Sequence, residues 1–313
     1  MPVSKKELVV RTVADLRETR PHLAELLDAF EPLWLARAEE TMKLEKRVAE
    51  LGTRLPDRSE DLESRGISLL ATADLSVYWP LVVEAAKSFE PVYEANPRLM
   101  PHLFEVHDFF AREREAAFGQ GALKSVLESD EGRFAELSGL DQDAAASLYL
   151  ATEYAFSTVL QALASSMGAT DDEGKMLWPL WSRGYCPVCG RLPTMDWLGK
   201  GYEELSNPYL ITGGGRKFLH CGMCGSDWRF RRAVCPACGS EEKGVMGTFY
   251  DVTNQCEHVS YCSECSKYTV GLDLRAISPI PDLDIMAFAM MPLDIRAAEQ
   301  GLFPMCRTVW NSK

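Results

Sequence analysis

In HLAELLDAFEPLWLARAEETMKLEKRVAEL, residues 22–51, Leu23, Leu26, Leu27, Phe30 and Trp34 return every three or four positions. That spacing places them on one face of a helix. Pro32 should kink or divide this helix, and Gly52 with Pro56 should end it. Similar spacing over 67–95 and 101–128 predicts further helices. Over residues 141–168, Asp141 is placed to cap a helix and Gly168 to stop it. Glu153 is the only charge in that stretch after the first turn, which marks it as the central, mostly buried helix.

The pattern changes at about residue 170. A segment bearing Trp178 and Trp181 gives way to glycines, cysteines and short strand-like runs: LPTMDWL, RKFLH, GVMGTFYDV and HVSY. From Asp282 helical spacing returns in DLDIMAFAMMPLDIRAAEQG, with a kink expected at Pro292 and an end at Gly301. The plan is α+β: an all-helical domain over 1–175, cysteine-rich β modules over 176–225 and 226–275, and a C-terminal helix and tail over 276–313.

Charge follows the same division. Of a net charge of −13, the whole excess lies in residues 1–175, where 19 Lys and Arg face 32 Asp and Glu. Such a body disfavours general adhesion to nucleic acid. The first twenty residues have no apolar core and are interrupted by Glu7, Asp15 and Glu18, so they read as neither a secretory signal nor a transit peptide. Residues 154–170 are too polar to span a membrane.

Nine of the ten cysteines fall between 186 and 265, and eight of them form CxxC pairs. Without a secretory signal, such pairs favour thiolate metal sites in a reducing compartment over disulfides. Two groupings compete: Cys221, Cys224, Cys235 and Cys238 as one compact site, or sequential pairing. An internal repeat favours the second. CPVCG at 186–190 and CPACG at 235–239 each precede a strand-like run, a turn-rich insert and a second run that leads into CGMC or CSEC. On this reading Cys186, Cys189, Cys221 and Cys224 make one site, and Cys235, Cys238, Cys262 and Cys265 another. Four thiolates suit zinc or iron, and spacing does not separate the two. Ser266 stands where the other three knuckles carry Gly190, Gly225 and Gly239.

CPVCG, CGMCGSDWRFRRAVCPACG and YCSECSKYTVGLDLR, followed by DLDIMAFAMMPLDIRAAEQGL, resemble the formate dehydrogenase accessory protein FdhE family. The distinctive element is CxxCxxxWxxxRxxCPxCG, with Trp228 and Arg232 between the second and third pairs. The resemblance covers residues 183–304. It implies a helical N-terminal domain followed by two consecutive rubredoxin-like or zinc-ribbon modules, with the eight paired cysteines as ligands of two Zn or Fe ions, one per site. It also implies a cytoplasmic, non-catalytic role in maturing formate dehydrogenase by binding its catalytic subunit, with no nucleic acid partner and no membrane insertion. Whether two copies pair is left open. Cys256 and His258 are additions to the family pattern.

Other residues carry competing readings. His220, Cys256 and His258 are spare ligand candidates, although four cysteines already fill each site. Cys306 is isolated and reads as a small packing residue. Trp228 is expected to cover the first site, with Arg232 pairing to an acidic helix, or else Trp228, Arg229, Arg231 and Arg232 contact a client or a nucleic acid; a zinc-ribbon nucleic-acid-binding protein and a rubredoxin-like electron carrier are the alternative functions. Met286, Met290, Met291 and Met305 read first as core. There is no GxSxG and no HExxH, and no βαβ pattern surrounds a CxxC, so neither a hydrolase nor a thioredoxin-like oxidoreductase is indicated.

Overall fold

The computed structural model describes residues 3–112, 116–165, 178–199, 215–308 and 310–311. Its helical body begins with α1 (Lys5–Thr19), closed by a capping box in which Ser4 and Glu7 satisfy each other's backbone donors. Helix α2 (Ala24–Leu51) runs undivided through Pro32 and ends on Gly52 in the left-handed conformation. The expected division at Pro32 does not occur.

Then come α3 (Glu60–Arg65), α4 (Trp79–Ser88), α5 (Glu90–Ala95), α6 (Leu103–Ala111), α7 (Ala116–Glu128) and α8 (Glu131–Ser138). The stretch expected to be helical over 67–95 starts instead as two short 3-10 turns before α4. Helix α9 (Gln142–Ser165) is capped by Asp141, whose carboxylate accepts from the N–H groups of Asp143 and Ala144. The proposed stop at Gly168 lies outside the described residues. Helices α2, α4, α6, α7 and α8 pack around α9, which is buried on nearly every side. Thr152 and Thr158 fit there because each hydroxyl donates to the carbonyl four residues back.

The rest is a seven-stranded sheet: β1 (Met195–Gly199), β2 (Arg216–His220), β3 (Asp227–Phe230), β4 (Met246–Tyr250), β5 (Glu257–Cys262), β6 (Lys267–Asp273) and β7 (Phe303–Pro304). Its order is β3-β2-β1-β6-β5-β4, with β7 beside β6. Each half is antiparallel, and the halves meet where β1 runs parallel to β6, Met195 opposite Val270 through Leu198 opposite Asp273. The two modules therefore form one continuous sheet. The segment between the second and third knuckles contributes β3 at the far edge of the first module before it leads into the second.

The C-terminal helix is two: α10 (Leu283–Ala289), capped by Asp282, and α11 (Met291–Glu299), with Pro292 in its first turn. Proline lacks a donor where a helix start needs none, so the expected kink becomes a break. Helices α1, α10 and α11 share a core with Met195, Val259, Val270 and Leu272 of the sheet. Met286, Met290 and Met305 are buried, as a packing role requires.

Candidate metal centres

The four knuckles share one backbone design. The N–H of Gly190, Gly225, Gly239 and Ser266 donates to the carbonyl of Cys186, Cys221, Cys235 and Cys262 respectively, at 2.8–3.0 Å. All four donors have positive φ, from 56° at Ser266 to 80° at Gly190. Glycine takes this conformation without steric cost, whereas a side chain does not. Ser266 therefore completes the fourth turn under strain that the other three avoid.

These turns gather the eight thiols into two groups, Cys186, Cys189, Cys221 and Cys224, and Cys235, Cys238, Cys262 and Cys265. Within each group all sulfurs lie within 4.8 Å of one another. In the first, Cys186 and Cys189 Sγ lie 3.4 Å from Cys224 and Cys221 Sγ. In the second, the corresponding separations are 3.7 Å from Cys235 to Cys265 and 3.8 Å from Cys238 to Cys262. A tetrahedral ion bonded to sulfur at about 2.3 Å sets neighbouring sulfurs about 3.8 Å apart. All ten cysteines are free, so the close approaches are not disulfides.

The donor chemistry fits a cation. Burial pushes the thiols of Cys186 and Cys189 well above their ordinary range, while hydrogen bonds from the other three hold Cys221 well below it. In the second group burial pushes Cys235 up to about 12. Four thiolates this close repel one another unless a positive ion neutralises them, and metal binding then releases the thiol protons. Each group could hold one metal ion.

The settings differ. All four thiols of the first group are buried in the same core as α4, α9 and Trp228. Just after its first knuckle, Arg191 accepts the Cys186 N–H on its carbonyl and sends its buried guanidinium to Glu153 and to the Val126 carbonyl. This pairing accounts for the lone charge on α9. The equivalent residue of the second module is Ser240, whose carbonyl accepts from the Cys235 N–H. There Cys238 is exposed, Cys265 half-buried, and the local core is little more than Val245, Met305 and two of the thiols.

The remaining candidates lie outside both groups. His220 is buried between Asp227 and Asp284, each 3.1 Å away, and the carboxylates hold its imidazole well above its usual range against the opposing effect of burial. His258 Nε2 donates to the Asp196 carboxylate, which also takes Lys217 at 2.9 Å and the Thr269 hydroxyl at 2.9 Å. This buried network crosses the β1–β6 seam, so His258 joins the modules rather than serving a thiol group. No local pattern marked Asp196 and Lys217 as partners, because they stand on different strands.

Trp228 is fully buried and its indole donates to the Arg183 carbonyl. Arg232 donates to the Gly215 carbonyl instead of pairing with an acidic helix. Arg231 is paired with Glu241. Cys256 is half-buried just before β5, and the Cys306 thiol lies 3.8 Å from Arg191 Nη2.

Fold and site define an α+β protein with a helical N-terminal region, a sheet carrying two four-cysteine clusters, and C-terminal helices. The comparisons with known proteins then narrow the class. No family model matches the chain. The FdhE homologue of Aquifex aeolicus is 30% identical over 131 residues, 42% of each chain. That of Shewanella oneidensis is 30% identical over 116 residues, 37% of this chain and 34% of its own length. The chain thus matches well under half the length of these relatives. The crystal structure of the FdhE protein from Pseudomonas aeruginosa superposes with a TM-score of 0.61 over 97% of this chain and 94% of that one, at 16% identity, which speaks for the fold alone. The resemblance to the FdhE family drawn from the cysteine pattern is borne out by these relatives and by this fold. No helix among the described residues is long and apolar enough to cross a membrane.

Proposed function

We propose that this chain is a cytoplasmic, non-catalytic accessory protein in formate dehydrogenase maturation that binds the catalytic subunit of that enzyme. The observation that carries the reading is the coincidence of FdhE relatives with two built four-thiol groups on one fused sheet. Cys186, Cys189, Cys221 and Cys224 would hold one Zn or Fe ion, and Cys235, Cys238, Cys262 and Cys265 the other. When bound, the ions cross-link knuckles that have little core of their own; iron would add one-electron chemistry. The chain's residues fix the surface that the subunit meets: the β1–β6 seam and the Arg191–Glu153 pair lock module to module and module to helical body.

The test is a tagged copy recovered from anaerobically grown cells of its source organism, together with deletion of its gene. Recovery of the catalytic subunit and loss of formate dehydrogenase activity are expected. Absence of the subunit with activity undiminished would contradict the proposal.

A further inference from the structure

Between the helical body, the first cysteine module and the C-terminal segment lies a cavity of about 260 Å³. Its walls are aromatic: Phe30 and Trp34 from α2, Tyr154 from α9, Phe288 from α10, and Trp310 beyond β7. Drug-sized pockets run from about 300 to 1,000 Å³, so this one suits a guest on the order of one aromatic side chain with a polar end.

The charged groups facing it are Arg37, Arg98, Arg191, Arg307, Glu153 and Asp284. Two ion pairs absorb both carboxylates: Arg191 with Glu153, and Arg37 Nη1 with Asp284 Oδ2 at 3.4 Å. Arg98 and Arg307 are exposed at the rim, and neither has a carboxylate partner among the described residues. An aromatic cavity with two guanidinium groups at its mouth, neither held by a carboxylate, offers an anion a forked cationic partner beside an apolar wall.

We infer that this cavity binds a carboxylate borne on a single aromatic or branched apolar group. The apolar part packs against the aromatic wall, where the Trp34 and Phe288 rings already touch edge to face, and the carboxylate meets the guanidinium groups of the rim, whose planar forks match it. The anionic end belongs at the rim, because Cys221 lines the buried side, where a metal-loaded thiolate group would repel it. The chemistry has two sources, a free aryl acid or the C-terminal residue of a polypeptide. Because the cavity is walled by three segments of the chain, a guest that binds only the folded state stabilises their junction.

The full-length, metal-loaded protein is titrated calorimetrically with 3-phenylpropionate and its amide, and with a hexapeptide ending in phenylalanine, as free acid and as amide. Saturable binding of at least one acid is expected, with its amide at least ten-fold weaker. The double variant Arg98→Ala/Arg307→Ala alters only exposed side chains and should keep the wild-type Tm while weakening that acid at least ten-fold. Tighter binding of the peptide acid points to a chain end, and tighter binding of phenylpropionate to a free acid. No saturable response to either acid at millimolar concentration, equal binding of acid and amide, or unchanged affinity in the double variant would each overturn the inference.

Discussion

The two thiol groups are built from the same turn and set in different surroundings. The first is sunk in the main core, against α9 and Trp228, and roped to Glu153 by Arg191. The second sits at the side of the sheet, with Cys238 exposed and Ser240 where the first has its arginine. A ligand knuckle encodes its own geometry, but what the site does for the fold depends on what surrounds it. An ion in the first group would cross-link two knuckles already packed against the helical body, whereas an ion in the second would hold its own hairpin.

Removing one thiol from each group should break the comparison most sharply. Structural metal binding contributes about 10–16 kcal/mol in small metal-folded domains, more than most whole domains can lose. Cys186→Ser is expected to abolish cooperative unfolding of the helical body, seen by circular dichroism. Cys238→Ser should leave that transition in place and lower only the metal content by one equivalent. Equal damage from both would mean that the surroundings are irrelevant.

Arg191→Ala comes next. It leaves the half-buried Glu153 without its partner, and an unsatisfied polar group of this kind costs about 1–3 kcal/mol; urea unfolding should show the loss. Ser240→Ala, at the equivalent place, should change stability by less than about 0.5 kcal/mol.

Asp294 tests how the second module is held on its helical side. Its carboxylate accepts from the Tyr268 hydroxyl at 2.7 Å, and burial raises its pKa to about 6 against the opposing effect of hydrogen bonds from Tyr268, Asn311 and Trp310. A carboxyl with a folded value above its unfolded value near 4 binds its proton more tightly when folded. Its contribution is therefore full below about pH 4 and lost as pH rises through 6. Asp294→Asn should be more stable than the wild type at pH 8 by roughly 2–3 kcal/mol, a gap that closes toward pH 4. Matched denaturation curves at the two pH values would check it.

The smallest expected effect is at Ser266. Relieving its left-handed backbone by Ser266→Gly should stabilise the fourth knuckle by about 1 kcal/mol. It should slow metal loss from the second group while leaving the first unchanged, as chelator competition would show.

Much of this contrast was legible in the residues, and part of it was not. Helical spacing located α2, α9 and the C-terminal helices, and the repeated CPxCG placed the thiols in their sequential groups. Ser266 stood out against three glycines. The β1–β6 seam was missed, because parallel pairing between strands about 75 residues apart leaves no local pattern. The buried Asp196–Lys217–His258 network was missed for the same reason, since each charge looks exposed until the halves of the sheet meet. Glu153 was noticed as an isolated charge, but its partner lay beyond a change of domain composition.

The central claim is that the chain holds two metal ions in unequal settings. Its most direct test is a time course of metal release into excess chelator, with the liberated thiols alkylated and mapped by mass spectrometry. Two phases are expected, one equivalent each, with Cys235, Cys238, Cys262 and Cys265 labelled at least ten-fold sooner than Cys186, Cys189, Cys221 and Cys224. A single phase that labels all eight together, or earlier labelling of the buried four, would contradict it.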